Sequence, residues 1–176
     1  MNPFVIGGLA LLFALPASAF ADASATGAES RTALVADRGL CQPEESVYFA
    51  CPTARSRWVS ICGKPGTLQY RFGRPDRVEL VFPAQATDGT SRLLYAGYFR
   101  EKVEKTEVRF EIQGTDYVVY DYQEGRKHAS GVRVTTEEGK EVEIACQGPV
   151  ISRLPQLKSV IPCDKESALN GGECRR

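Results

Sequence analysis

The sequence has a single histidine, His128, and that scarcity removes the usual partner for a serine or cysteine nucleophile. His128 stands in the charged segment from Glu124 to Ser130 (EGRKHAS), which reads as a solvated hairpin loop. No charge of either sign is in excess, because 22 basic residues balance 22 acidic ones. A balanced chain lacks the electrostatic footprint of a nucleic-acid binder or of a protein held on an anionic membrane surface. Close cysteine pairs are missing as well. Zinc sites commonly use CxxC spacing with histidine as a further ligand, whereas the nearest cysteines here have nine or ten residues between them. The chain has no phosphate-cradling glycine loop and no calcium-loop pattern, so neither a metal nor a cofactor is expected. Carboxylates are plentiful, but they alternate with lysine and arginine as solubilising residues do, and no catalytic pair stands out. Helical periodicity is absent outside the first twenty residues, apart from one turn around Lys165 to Leu169. There is no internal repeat and no internal domain boundary.

What is present begins with an apolar run from Val5 to Leu15, followed by Pro16 and small residues. The run is too short to span about 30 Å of hydrocarbon. Two overlapping small-x-small sites, Ala17-Ser18-Ala19 and Ala19-Phe20-Ala21, mark residues 1–21 as a secretory signal peptide cut after Ala19 or Ala21. Residues 22–40 are small, polar and patternless, and read as a disordered leader. All six cysteines (Cys41, Cys51, Cys62, Cys146, Cys163 and Cys174) follow the signal, and an even count in an exported chain reads as up to three disulfides. Sequence alone allows fifteen connectivities for six cysteines. The local reading joins Cys163 with Cys174 across Asn170-Gly171-Gly172, Cys62 with Cys146 as a clamp between distant strands, and Cys41 with Cys51.

From Val47 onward the pattern has period two. Val47, Phe49 and Cys51 are taken to share one face, and the runs Trp58–Cys62, Leu68–Phe72, Val78–Phe82, Leu93–Phe99, Val108–Ile112, Tyr117–Tyr122, Val132–Thr136 and Val142–Cys146 follow. Turn chemistry separates them, as at Asp88-Gly89, Gln113-Gly114, Glu124-Gly125 and Glu138-Gly139. Eight or nine short strands at regular spacing indicate an all-β fold, a small antiparallel sandwich or barrel stapled by disulfides. The β domain is expected over 41–154, with 155–176 as a C-terminal tail closed by its own disulfide.

Tyrosines cluster on neighbouring strands. Tyr95 and Tyr98 precede a charged segment, Arg100 to Thr106, read as a projecting loop, and Tyr120 and Tyr122 share one side of their strand while Tyr117 faces the other. Filling sheet faces is the commoner use of such rings, but tyrosine also supplies contact area at low entropy cost. The candidate contact residues are therefore Tyr95, Tyr98, Arg100, Lys102, Tyr120 and Tyr122, with no catalytic residue assigned.

The blocks SVYFAC (Ser46–Cys51), WVSIC (Trp58–Cys62), LQYRFG (Leu68–Gly73), VELVFP (Val78–Pro83), DYVVY (Asp116–Tyr120) and ACQGPVISRL (Ala145–Leu154) occur in one order. In this the chain resembles a largely uncharacterised family of small exported proteobacterial β-proteins. The resemblance covers about Cys41 to Leu154 and implies a periplasmic or secreted four-cysteine β domain. This chain departs from that family where Tyr95 to Thr106 is charged instead of glycine-rich, and in the added pair Cys163 and Cys174. In plan only, the chain is similar to the periplasmic lysozyme inhibitors, which are cysteine-stapled β domains.

These readings favour an exported, non-enzymatic binding or inhibitory module of the bacterial envelope, located in the periplasm or secreted. Its expected partner is a protein or glycan of the envelope, such as a cell-wall hydrolase. The competing expectations are an enzyme acting on envelope glycans through a carboxylate pair, and a structural envelope component.

Overall fold

The computed structural model describes residues 38–171 and Cys174. The signal peptide at 1–21 and the leader up to residue 37 lie outside the described residues. Ten strands form two five-stranded antiparallel sheets packed as a sandwich. The first sheet contains β1 (Ser46–Thr53), β2 (Arg57–Lys64), β3 (Thr67–Arg74) and β4 (Arg77–Phe82). A short helix, α1 (Gly89–Arg92), leads to the second sheet: β5 (Leu94–Arg100), β6 (Val103–Ile112), β7 (Thr115–Glu124), β8 (Lys127–Thr135) and β9 (Glu141–Ala145). Each sheet is a meander of hairpins. The chain then returns to the first sheet, where β10 (Ile151–Ser152) pairs with the free side of β1. No helix among the described residues is long and apolar enough to cross a membrane.

The period-two pattern carries the architecture, since alternate residues of each strand turn toward the facing sheet. Phe49, Val59, Ile61 and Tyr70 from the first sheet meet Val108, Phe110, Val119 and Val132 from the second, all essentially without exposure. Phe110 is the hub. Its ring lies 4.8 Å from Tyr70, 4.6 Å from Phe82 and 5.0 Å from Tyr117, within the range in which ring pairs add to plain burial.

Several expectations need correction. The disulfides are Cys41–Cys62, Cys51–Cys146 and Cys163–Cys174, so only the last of the three local assignments holds. The reason is strand phase. Val59 and Ile61 face the core, which turns Cys62 to the outer side of the first sheet beside Cys41. Cys51 faces inward and reaches across to the chain after β9. A bulge between Val47 and Phe49 also turns Val47 to the outer face, away from Phe49 and Cys51. The projecting loop at 100–106 is a two-residue turn, Glu101-Lys102, with Lys102 at φ +62°; both flanks are strand. His128 stands in β8, and the turn before it is shorter than EGRKHAS suggested.

Both ends of the fold are better ordered than their composition suggests. Arg38 to Glu45 lie over the outer face of the first sheet, where the Leu40 N–H donates to Ser60 Oγ (3.0 Å). Arg71 donates to both Glu45 carboxylate oxygens (2.6 and 2.7 Å) and to the Leu40 carbonyl (3.1 Å). Trp58 is half-buried against this segment, near Gly39. After β10, a 3-10 helix (Leu154–Ser159) buries Leu154 and Leu157 completely, and Ile161 follows them into the core. The domain therefore continues past 154, and the sandwich is not closed without these residues.

Candidate functional site

The outer face of the second sheet carries the polar and aromatic cluster that the tyrosines hinted at. Strand phase explains who is there: Tyr117 and Val119 point inward, so Val118, Tyr120 and Tyr122 point outward. Register then places Tyr120 between Glu107 and Gly131, and Lys105 beside Tyr122. Gly131 matters for its lack of bulk. A Cβ there would come within 2.5 Å of the Ile144 carbonyl and 3.0 Å of the Tyr120 hydroxyl, so only glycine lets the Tyr120 side chain reach across β8. At its far end the Tyr120 hydroxyl donates to Glu143 on β9.

Glu107 is the centre of the arrangement. Its carboxylate accepts from the Tyr122 hydroxyl, from Arg133 (2.6 Å) and from Ser167 Oγ (3.1 Å). The Arg133 guanidinium is 5.4 Å and 5.9 Å from the Tyr120 and Tyr122 ring centroids, which are themselves 5.1 Å apart. These are cation–π distances. Burial, and then the hydrogen bond each makes to a carboxylate, pushes both tyrosine hydroxyls far above the ordinary phenol range. They act as fixed donors and do not ionise.

The C-terminal segment walls this face. The Tyr95 N–H donates to Pro162 O and the Asp164 N–H to Tyr95 O, both at 2.7 Å, which aligns residues 162–164 along β5. Asn170 accepts from Gly97 N–H (3.2 Å) and donates to the Asp164 carbonyl (2.7 Å). Arg109 donates to Asp116 (2.9 Å) and Glu166 (2.7 Å) and lies 3.5 Å from Asp164. The Cys163–Cys174 bond closes the segment into a loop. Between this wall and the sheet run two shallow hollows of ≈ 490 Å³ each, with Ala168 and Leu169 bordering both. One is floored by Tyr98, Arg100, Val103 and Lys105; the other by Glu107, Val118, Tyr122 and Arg133. Together they make one groove.

The six candidate contact residues divide. Tyr98 and Arg100 line the first hollow and Tyr122 the second. Tyr120 is buried beneath Arg133 as part of the floor's support. Tyr95 faces the opposite way, into the core. Lys102 sits at the tip of its turn, paired with Glu101 (3.6 Å), and lines neither hollow. Sequence reading missed Glu107, Arg109, Arg133 and Ser167. The first three looked like outward solubilising charge, and Ser167 lies in the supposed tail. The available signal was Gly131, a glycine in the interior of an alternating run, where it marks a close approach.

Glu107, Asp116, Asp164 and Glu166 in the second hollow are each engaged by arginine. Elsewhere, His128 Nε2 lies 2.6 Å from Asp121 on the surface, and Ser130 is buried opposite Asp121 with no hydrogen bond to His128 among the described residues. Comparison of the chain with protein-family models, with curated proteins and with solved structures finds no match.

Proposed function

We propose that this chain is an exported, non-enzymatic binding module of the bacterial envelope, working in the periplasm or outside the cell, and that it grips a protein or glycan partner along the groove of the second sheet. The observation that carries the reading is the fixed state of the groove before any partner arrives. Glu107 already has three donors, Arg133 is already stacked on two rings, and the wall is already stapled. Surfaces of this kind lose little side-chain freedom on contact, which favours recognition. Tyr98, 42% exposed, and Arg100 beside it supply an aromatic and a charged contact at the open end. Three disulfides and the absence of a membrane-spanning helix among the described residues are compatible with export.

The test is site-specific photo-crosslinking in living cells, with the probe at Tyr98 and a control probe at Glu44, an exposed position outside the groove. One envelope component should be trapped at Tyr98 and not at the control. Equal or absent trapping at both sites would overturn the proposal. In its narrower form, inhibition of a cell-wall hydrolase, the proposal predicts that the purified protein slows lysis and that Arg100→Glu weakens this. No effect on any lysozyme class would remove the narrower form.

A further inference from the structure

Two five-stranded sheets have four lateral edges, and two of those are closed. The β5 edge is occupied by residues 162–164 through the Tyr95–Pro162 and Asp164–Tyr95 bonds, and the β10 edge is only two residues long. The β4 and β9 edges are different. They are six and five residues long, and among the described residues each forms ladder hydrogen bonds on one side only, β4 with β3 and β9 with β8. Both expose valine: Val78 (43%) and Val81 (40%) on β4, Val142 (46%) on β9. A free row of N–H and C=O groups is a template for another strand unless something blocks it.

Charge separates the two edges. Around β4 stand four arginines, Arg57 and Arg74 beside Glu79, Arg77 in the strand itself and Arg92 over the Phe82 ring (4.6 Å), against Asp76 and Glu79. Glu79 is committed to Arg57 (2.8 Å) and lies 4.0 Å from Arg74, while Arg77 and Arg92 have no carboxylate at ion-pair distance among the described residues. Around β9 stand Glu137, Glu138, Glu141 and Glu143 against Lys140, all of them exposed. Pairing β4 with a second β4 would bring arginines together, and pairing β9 with β9 would bring glutamates together; like charges across strands destabilise. Opposite edges attract. They also lie on opposite flanks of the sandwich: Cys51–Cys146 ties the chain after β9 to the β1 side, while Phe82 of β4 packs on Phe110 of β6.

We infer that copies of this chain associate head to tail, the basic β4 edge of one pairing with the acidic β9 edge of the next. Such an interface is heterologous, so it extends as an open row instead of closing as a dimer. A contact of five or six residues per strand is small, so the association is weak, sensitive to salt, and favoured where the protein is concentrated. It goes beyond the groove, which faces outward from the second sheet and stays accessible.

Sedimentation velocity on the full exported product, over a wide range of concentration, tests this. The average sedimentation coefficient should rise with concentration at low ionic strength without levelling at a dimer, and fall back when salt is added. Val78→Glu and Val142→Lys, each of which sets like charge against the facing edge, should each remain monomeric, with Val81→Glu and Glu141→Lys as second choices if either fails to fold. An equimolar mixture of Val78→Glu and Val142→Lys should form a dimer that grows no further, because each supplies the edge the other lacks. A wild-type protein that stays monomeric throughout overturns the inference. So does association that survives either single block, or a mixture that fails to pair.

Discussion

Truncating Glu107 to alanine should destabilise the fold, although the residue lies on the outer face of a sheet, where a carboxylate is usually dispensable. Its side chain is only 11% exposed, and the change would strand three donors at once: the Tyr122 hydroxyl, the Arg133 guanidinium and Ser167 Oγ. Removing one partner of a fully buried ion pair costs roughly 3–5 kcal/mol. Arg133 is 32% exposed and keeps its bond to the Tyr122 hydroxyl (3.1 Å) and its place over both rings, so water and the tyrosines offset part of that. The expected loss is about 3 kcal/mol, or a fall of about 10 °C in melting temperature for a domain of this size. Glu107→Gln keeps an acceptor and should lose about 1 kcal/mol. Urea unfolding supplies the numbers, and an unchanged slope would show that the unfolded state is not the cause. In a double-mutant cycle with Arg133→Met, the pair should couple by about 1–2 kcal/mol. A Glu107→Ala protein within about 0.5 kcal/mol of wild type, as for an ordinary surface carboxylate, would show that the groove floor is not preorganised, and the binding proposal would lose its support.

Three further outcomes follow from the packing. Replacing Cys51 and Cys146 with serine should cost about 5 kcal/mol against about 3 kcal/mol for Cys41 and Cys62, because the loops closed span 95 and 21 residues; equal unfolding midpoints for the two variants would contradict this. Gly89→Ala should destabilise by about 2–3 kcal/mol even though alanine suits a helix better by about 1 kcal/mol, because its Cβ would stand 1.8 Å from the Leu68 carbonyl oxygen; a neutral or stabilised variant in thermal melts would refute it. Burial opposes the charge on Glu45, but the hydrogen bonds from Arg71 and from the Gln42 N–H, together with the guanidinium's charge, outweigh it and hold the carboxyl below its ordinary value of 4.5. Protons therefore bind the unfolded chain more readily, and this contribution, present above that value, is lost as pH falls through the folded one; the urea midpoint should drop on acidification, and less steeply in Glu45→Gln.

The strands were legible because alternation of apolar and charged residues is enforced by two-sided packing. All nine alternating runs coincide with β1 to β9, and only the two-residue β10 left no pattern of its own. Cysteine pairing was less legible, since nearness in sequence says nothing about which face a residue occupies. The phase of Val59 and Ile61 against Cys62 would have turned that residue outward. The groove was half legible: Tyr98, Arg100, Tyr120 and Tyr122 announced themselves as aromatics and a loop flank, whereas Glu107 and Arg133 have the same alternation as solvated charge. What distinguishes them is the segment laid over them. Residues 162–170 contain few large apolar side chains, and they are held by backbone and polar bonds that composition does not reveal.

The crossed order of the sulfur bridges has a consequence for how the molecule is made. On the export route proposed above, a chain emerging from its N-terminus delivers Cys41, Cys51 and Cys62 well before Cys146, so one thiol of the first three waits unpaired while most of the second sheet emerges. An oxidant that joins cysteines in order of arrival would link Cys41 to Cys51 and trap an inward-facing sulfur on the wrong side of its sheet. On that route, a Cys41–Cys51 bond formed first would have to be reshuffled before the native pair of bridges could close.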